Sequence, residues 1–242
     1  MSDSSDLDNL GPRIVEEFES WFTNVFIPHQ EVLLEKWKIA ENHKMNPYLL
    51  AYRSAALSGD KSALGIAEGL ITLSWLGQGL STSFGMQFQT QLTRILQDVY
   101  GSTTSGIDVE YPDYFDKRKK FAQIKLGPDT INSDDVETID NHFKSIKRLA
   151  KTNNVSLQVD DLVVGVIYGT HLQLNANYNA LKNLNYEVYV GNEFFEHLTG
   201  VPDLGTQLID AAVRSSKNVK VDELLKEAIG ILARDPNITG LI

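Results

Sequence analysis

Apolar residues at Ile14, Val15, Phe18, Trp21, Phe22, Val25 and Phe26 recur at spacings of three and four. That period predicts an amphipathic helix beginning after Gly11-Pro12 and ending before Pro28. A second helical stretch runs through Val32, Leu33, Leu34 and Trp37, and Asn46-Pro47 has the form of a helix start, cap then first position, carrying Tyr48 to Leu57. A further helix is predicted from Asp60 to about Leu76. Residues 77–83 read as a small-residue loop, and Phe84, Phe88, Leu92, Ile95, Leu96 and Val99 mark another helix. The first hundred residues are therefore read as helical, and only then does the period change.

From Gly106 the alternation is that of strands. Gly106-Ile107-Asp108-Val109-Glu110 and Phe121-Ala122-Gln123-Ile124-Lys125-Leu126 flank a charged turn. A turn at 128–133 follows, with Ser133 as expected N-cap and Asp134 and Asp135 at the positive end of a helix through Val136, Ile139, Phe143, Ile146 and Leu149. The apolar run 162–168 reads as a strand buried on both faces. A last strand is expected at 187–190, and helices near 191–199, 203–216 and 221–233. The predicted fold class is α/β, a sheet flanked by helices with an N-terminal helical region. Three segments result: a disordered, acidic tail over 1–10, a helical region over 11–83, and a core with C-terminal helices over 84–242.

The two strands also carry the candidate chemistry. Asp108 and Glu110 share one face of the first, with Ile107, Val109 and Tyr111 opposite; Gln123 and Lys125 share one face of the second. A carboxylate on one strand beside a polar residue and a lysine two apart on the next suits metal-assisted phosphodiester cleavage. The carboxylate would hold Mg²⁺, and the lysine would orient water and offset charge on the phosphate.

Composition narrows the alternatives. The 242 residues include no cysteine, which excludes disulfides, thiolate nucleophiles and Cys-ligated zinc and suits a reducing cytoplasm. No apolar run approaches transmembrane length, and the N-terminal residues lack the pattern of a signal peptide, so a soluble intracellular protein with no membrane partner is expected. The formal charge of −10 argues against a DNA partner. Net charge, however, describes the whole surface and not a cleft. The dense basic run Lys117-Arg118-Lys119-Lys120 reads either as a solvated hairpin turn or as a phosphate-facing patch through Lys119 and Lys120. The chain has no P-loop and no nucleophile elbow. His29, His43, His142 and His197 lack metal-ligand spacing, and His142 reads as surface or packing.

Asp108 with Gln123 and Lys125, in the order helix–strand–strand–helix–strand, resembles the PD-(D/E)XK nuclease superfamily. The runs Gly106-Ile-Asp-Val-Glu110 and Gln123-Ile-Lys-Leu-Gly-Pro-Asp-Thr-Ile-Asn-Ser-Asp-Asp-Val136, with Gly165-Val-Ile-Tyr-Gly-Thr170 and Tyr189-Val-Gly-Asn-Glu-Phe-Phe-Glu-His-Leu-Thr-Gly200, are similar to PmeII-type type II restriction endonucleases over about residues 84–216. The resemblance implies a PD-(D/E)XK nuclease-like core in a prokaryotic cytoplasm, with Mg²⁺ as cofactor and double-stranded DNA as partner. It implies that Asp108 bridges metal and phosphate, that Gln123 and the Ile124 carbonyl complete the metal shell, and that Lys125 positions water. The superfamily usually has a carboxylate where this chain has Gln123; Glu110, or Glu68, could supply the missing charge.

Two segments are candidate DNA contacts. His171, Gln173, Asn175 and Asn177 alternate with Leu172, Leu174 and Ala176, and an extended chain would present four uncharged polar groups to base edges or simply to solvent. Asn132, Ser133 and the helix start beyond them could hold a phosphate. Recognition of a palindromic site implies a homodimer, for which Phe18, Trp21, Phe22, Phe26 and Trp37 are either an interface or an ordinary core. A repair nuclease on the same fold, and a DNA-binding or assembly protein with a lapsed site, remain open at this level.

Overall fold

Four strands form one mixed sheet in the order β1-β2-β3-β4, in a computed structural model that describes residues 9–43, 46–59, 61–100, 102, 104–217 and 219–241. Residues 1–8 of the expected tail, and Asp60 at the expected helix start, lie outside the described residues. β1 (Val109–Pro112) runs antiparallel to β2 (Lys119–Lys125); β3 (Leu162–Val166) and β4 (Glu187–Val190) continue parallel to β2. β3 is buried throughout, as its Leu-Val-Val-Gly-Val sequence predicts for a central parallel strand. β1 starts later than its alternation suggests: Asp108 precedes the strand, although its N–H still reaches the Ala122 carbonyl at 3.0 Å.

Elements near 10–100 are helical: α1 (Leu10–Trp21), α2 (Ile27–Trp37), α3 (Pro47–Ser58), α4 (Ala63–Ile71) and α5 (Leu80–Tyr100). Pro28 does not end a helix. Phe22–Phe26 form a π-helical turn in which the Ile27 N–H reaches the Phe22 carbonyl, and Pro28 falls in the first turn of α2. The widened turn shifts the hydrogen-bond register, so the missing proline N–H lands where a new register begins. Residues 77–83 are likewise no loop, because a second π-helical turn over Thr72–Gly79 leads into α5.

The chain divides into two compact units, residues up to 19 with 88–214, and 20–87 with the C-terminal segment from 215. In the second unit Leu34, Leu50, Ile66, Leu70, Ile71 and Trp75 pack with Ala228 and Leu232 of α10 (Val221–Leu232) and Ile238 of α11 (Pro236–Thr239). The last two helices therefore pack within the helical unit. The aromatic residues offered as a dimer interface are consumed within the chain: Trp21, Phe22 and Phe26 meet Phe84 at 5.4–6.4 Å, and Phe18 meets Phe88 at 5.1 Å.

In the first unit one face of the sheet is covered by α6 (Ser133–Thr152) and α7 (Ala176–Asn183). Ile139, Phe143, Ile146, Tyr178 and Leu181 close over Val164, Val166, Val188 and Val190. The opposite face receives Phe194 of α8 (Asn192–Thr199), whose ring lies so close to Gly165 that a Cβ there would sit 2.3 Å from it. α9 (Leu204–Ser216) completes this unit. α6 is capped by Asn132, not Ser133: the Asn132 side chain accepts from the Asp135 N–H at 2.9 Å, and Asp135 returns a bond to the Asn132 N–H at 3.0 Å.

Candidate active site

The end of the sheet at which β2 finishes and β1 begins opens into a cleft of about 300 Å³. Asp108, Gln123, Ile124 and Lys125 line it, with Asp135, Thr138, Ile139 and His142 of α6 and Gln89 of α5. The carboxyl ends of parallel strands are where open α/β sheets place ligands, because the strands diverge there into loops. Alternation along β2 turns Gln123 and Lys125 to the α6 side, and antiparallel pairing of Val109 with Ala122 brings Asp108 alongside. Asp108, Gln123 and Lys125 thus come together from a strand edge and its neighbour.

Asp108 Oδ2 accepts the Ile124 N–H at 2.6 Å. Burial pushes its carboxyl above the ordinary range, against the opposing effects of that N–H and of Lys125. Lys125 Nζ lies 3.3 Å from Asp135 Oδ1. The Asn132 N–H, and then Lys125, hold the Asp135 carboxyl below the usual range. Gln89 donates to the Ile124 carbonyl at 3.0 Å. Gln123 Nε2 donates to the Gly106 carbonyl and faces His142 Nδ1 at 2.5 Å.

Glu110 shares the Asp108 face but does not line the cleft. It is bound by Lys119 and by Thr104 and Ser102 at 2.8 and 3.0 Å; burial raises its pKa, and those bonds outweigh burial to leave it lowered. Glu68 is a half-buried residue of α4 in the other unit.

The basic run is not a free patch. Arg118 pairs with Asp116, Asp160 and Asp161. Lys120 is 1% exposed, bonded to Asp116 at 2.8 Å and Asp161 at 3.3 Å, so the hairpin turns it inward and away from any phosphate. Lys119 packs over the Phe121 ring besides pairing with Glu110.

The extended reading face at 171–177 does not form. His171–Gln173 make a 3₁₀ turn and α7 begins at Ala176, because Thr170 with Gln173, and Asn175 with Asn177 and Tyr178, make capping bonds that favour helical turns. His171 meets Glu193 at 2.7 Å and Lys182 at 3.0 Å. Asn175 and Asn177 both donate to the Ile131 carbonyl at 2.9 Å. Asn132 and Ser133 stay exposed at the start of α6.

Sequence reasoning missed Gln89, Asp135 as a partner of Lys125, and His142. A signal existed for two of them: Asp135, Ile139 and His142 are spaced four and three apart, one stripe of α6 facing the cleft strand. Gln89 is a polar residue of an amphipathic helix and carries no signal of its own.

Among the described residues no three histidine, aspartate or glutamate side chains gather into a metal cluster, and no helix is long and apolar enough to cross a membrane. No curated protein matches the chain. A model of the type II restriction endonuclease EcoO109I family, however, matches residues 19–220, which spans most of the chain and includes every residue of the cleft. The chain belongs to the EcoO109I family of type II restriction endonucleases, and is a DNA-binding, site-specific nuclease.

Proposed function

We propose that this chain makes Mg²⁺-dependent double-strand cuts at a short palindromic DNA sequence, acting as a homodimer from the PD-(D/E)XK superfamily, with a specificity of the PmeII type. The observation that carries the reading is the meeting of Asp108, Gln123 and Lys125 in one cleft at the end of β2. The donors fit a hard cation: a carboxylate from Asp108, an amide oxygen from Gln123 and the Ile124 carbonyl, which keeps a second lone pair beside its bond from Gln89. Mg²⁺ is held by few protein oxygens and keeps several waters, so a set this small suffices. When bound, it stabilises the charge that builds on the scissile phosphate.

The chain's own residues do the rest. Lys125 orients the attacking water and adds positive charge beside the phosphate. Asp135 keeps the ammonium in place from the first turn of α6. Asp108 is anchored by the Ile124 N–H, which fixes the carboxylate relative to β2. One cleft per chain cuts one strand, and a two-fold pair of chains matches a palindrome.

Digestion of unmethylated phage DNA with Mg²⁺, beside the Lys125→Ala variant, tests this. Discrete fragments from the wild type alone, with DNA binding retained in the variant, are expected. A smear would instead indicate a nuclease without sequence preference. Uncut DNA with a mobility shift would indicate a lapsed site, and turnover by Lys125→Ala would overturn the role of Lys125.

A further inference from the structure

Glutamine at position 123 replaces a negative ligand by a neutral one, and its amide can present either an oxygen, which attracts a cation, or an NH₂ group, which repels it. Its neighbours decide which. The Gly106 carbonyl can only accept a hydrogen bond, so the group beside it is Nε2. The second amide hydrogen then faces His142 Nδ1 at 2.5 Å, which accepts it in the tautomer that carries its proton on Nε2. Both amide hydrogens are thereby used. Among the described residues no group donates to Oε1, which lies on the opposite branch of the amide, on a side chain that lines the cleft.

The anchor is built into the backbone. Gly106 has φ of 80°, and a Cβ there would lie 2.5 Å from the His142 ring, so only glycine lets the imidazole come this close. His142 sits between Ile139 and Phe143, both buried under the sheet, on the capped helix α6.

We propose that His142 is a positioning residue: with the Gly106 carbonyl it locks the Gln123 carboxamide so that its oxygen is offered to the metal. The inference rests on the metal-binding reading of this cleft. It makes the amide the group for which the cleft is built. A glutamate in its place would set a carboxylate oxygen against the Gly106 carbonyl, which can only accept.

The test is binding of Mn²⁺ alone, followed by the loss of its free electron paramagnetic resonance signal, with Mg²⁺-dependent cleavage and thermal melting recorded for each protein. His142→Leu removes the acceptor and is expected to weaken Mn²⁺ binding by about tenfold or more, as loss of a ligand's outer partner does. His142→Asn puts an oxygen at the same branch point and is expected to recover most of that loss. Gln123→Glu is expected to bind Mn²⁺ no more tightly than wild type, although it adds a charge. Tighter binding by Gln123→Glu, or unchanged binding by a folded His142→Leu, would overturn the proposal while leaving the nuclease reading intact. Should His142→Leu fail to fold, the Gln123→Glu titration decides. A wild type that neither binds Mn²⁺ nor cuts DNA would overturn both.

Discussion

Burial of Asp108 in the cleft raises its pKa above the ordinary 3.8, more than the Ile124 N–H and Lys125 lower it. A carboxyl raised in the folded state stabilises the protein fully below its unfolded pKa, and that contribution is lost as pH rises through the folded value. At neutral pH the ionised group is therefore a net cost in the metal-free protein. Asp108→Asn keeps an acceptor for the Ile124 N–H and removes the charge. It is expected to raise the melting temperature at pH 7 by about 2 °C, to lose that advantage near pH 3, and to abolish cleavage. Scanning calorimetry in chelator at the two pH values measures it; a lower melting point at pH 7 would show that the ionised form is held by more than these groups. Asp135 is the counterpart. Its bond to the Asn132 N–H and its proximity to Lys125 favour the ionised form, so a single side chain both caps α6 and holds the lysine.

At the scale of elements, the sheet's tolerance is set by one glycine. Gly165 in β3 faces Phe194, and the missing side chain is what lets α8 lie against the strand. Gly165→Ala is expected to cost about 2 kcal/mol, since added volume in a packed core forces side chains off their rotamers. A shift of the urea midpoint at constant slope would register it; an unchanged midpoint would mean that α8 retreats freely. The same element shows what was legible in the sequence. A run of Leu and Val with no polar alternation, too short for a helix, reads as a doubly covered strand, and β4 and α6 followed from periodicity with similar clarity. Asp108, Gln123 and Lys125 were legible because a period of two assigns faces without any knowledge of the fold. The misread segments share a different cause. At Pro28 and at 77–83 the chain keeps a helix by widening one turn, a tertiary choice that no local propensity announces. At 171–177 an alternation of polar and apolar residues arose from capping side chains, since Gln173 and Asn175 bond backward and forward along a turn. His142 escaped notice because its partner, Gln123, is nineteen residues away on a strand.

For the whole molecule the charge distribution poses the sharper question. Residues 20–87 and 215–242 hold nine basic and nine acidic side chains, so the formal −10 belongs entirely to the unit with the sheet and the cleft. That unit must nevertheless approach a polyanion, and Arg118, Lys119 and Lys120 of its hairpin are already committed to Asp116, Asp160, Asp161 and Glu110. A divalent cation bound there as proposed would reverse the local sign, since its charge would outweigh the single carboxylate assigned to hold it. DNA affinity is therefore expected to depend on the cation before any bond is cut. Ca²⁺, which takes the same oxygen donors as Mg²⁺, should tighten binding of a duplex carrying the recognition sequence by about tenfold or more over chelator at equal ionic strength. Asp108→Asn should bind more tightly than wild type in chelator and gain less from Ca²⁺, because the substitution removes both the repulsion and the ligand. Fluorescence anisotropy on the two proteins measures all four affinities. Binding in chelator as tight as with Ca²⁺ would mean that the phosphates are met by basic groups away from the cleft, and that its carboxylates are too far from the DNA to repel it.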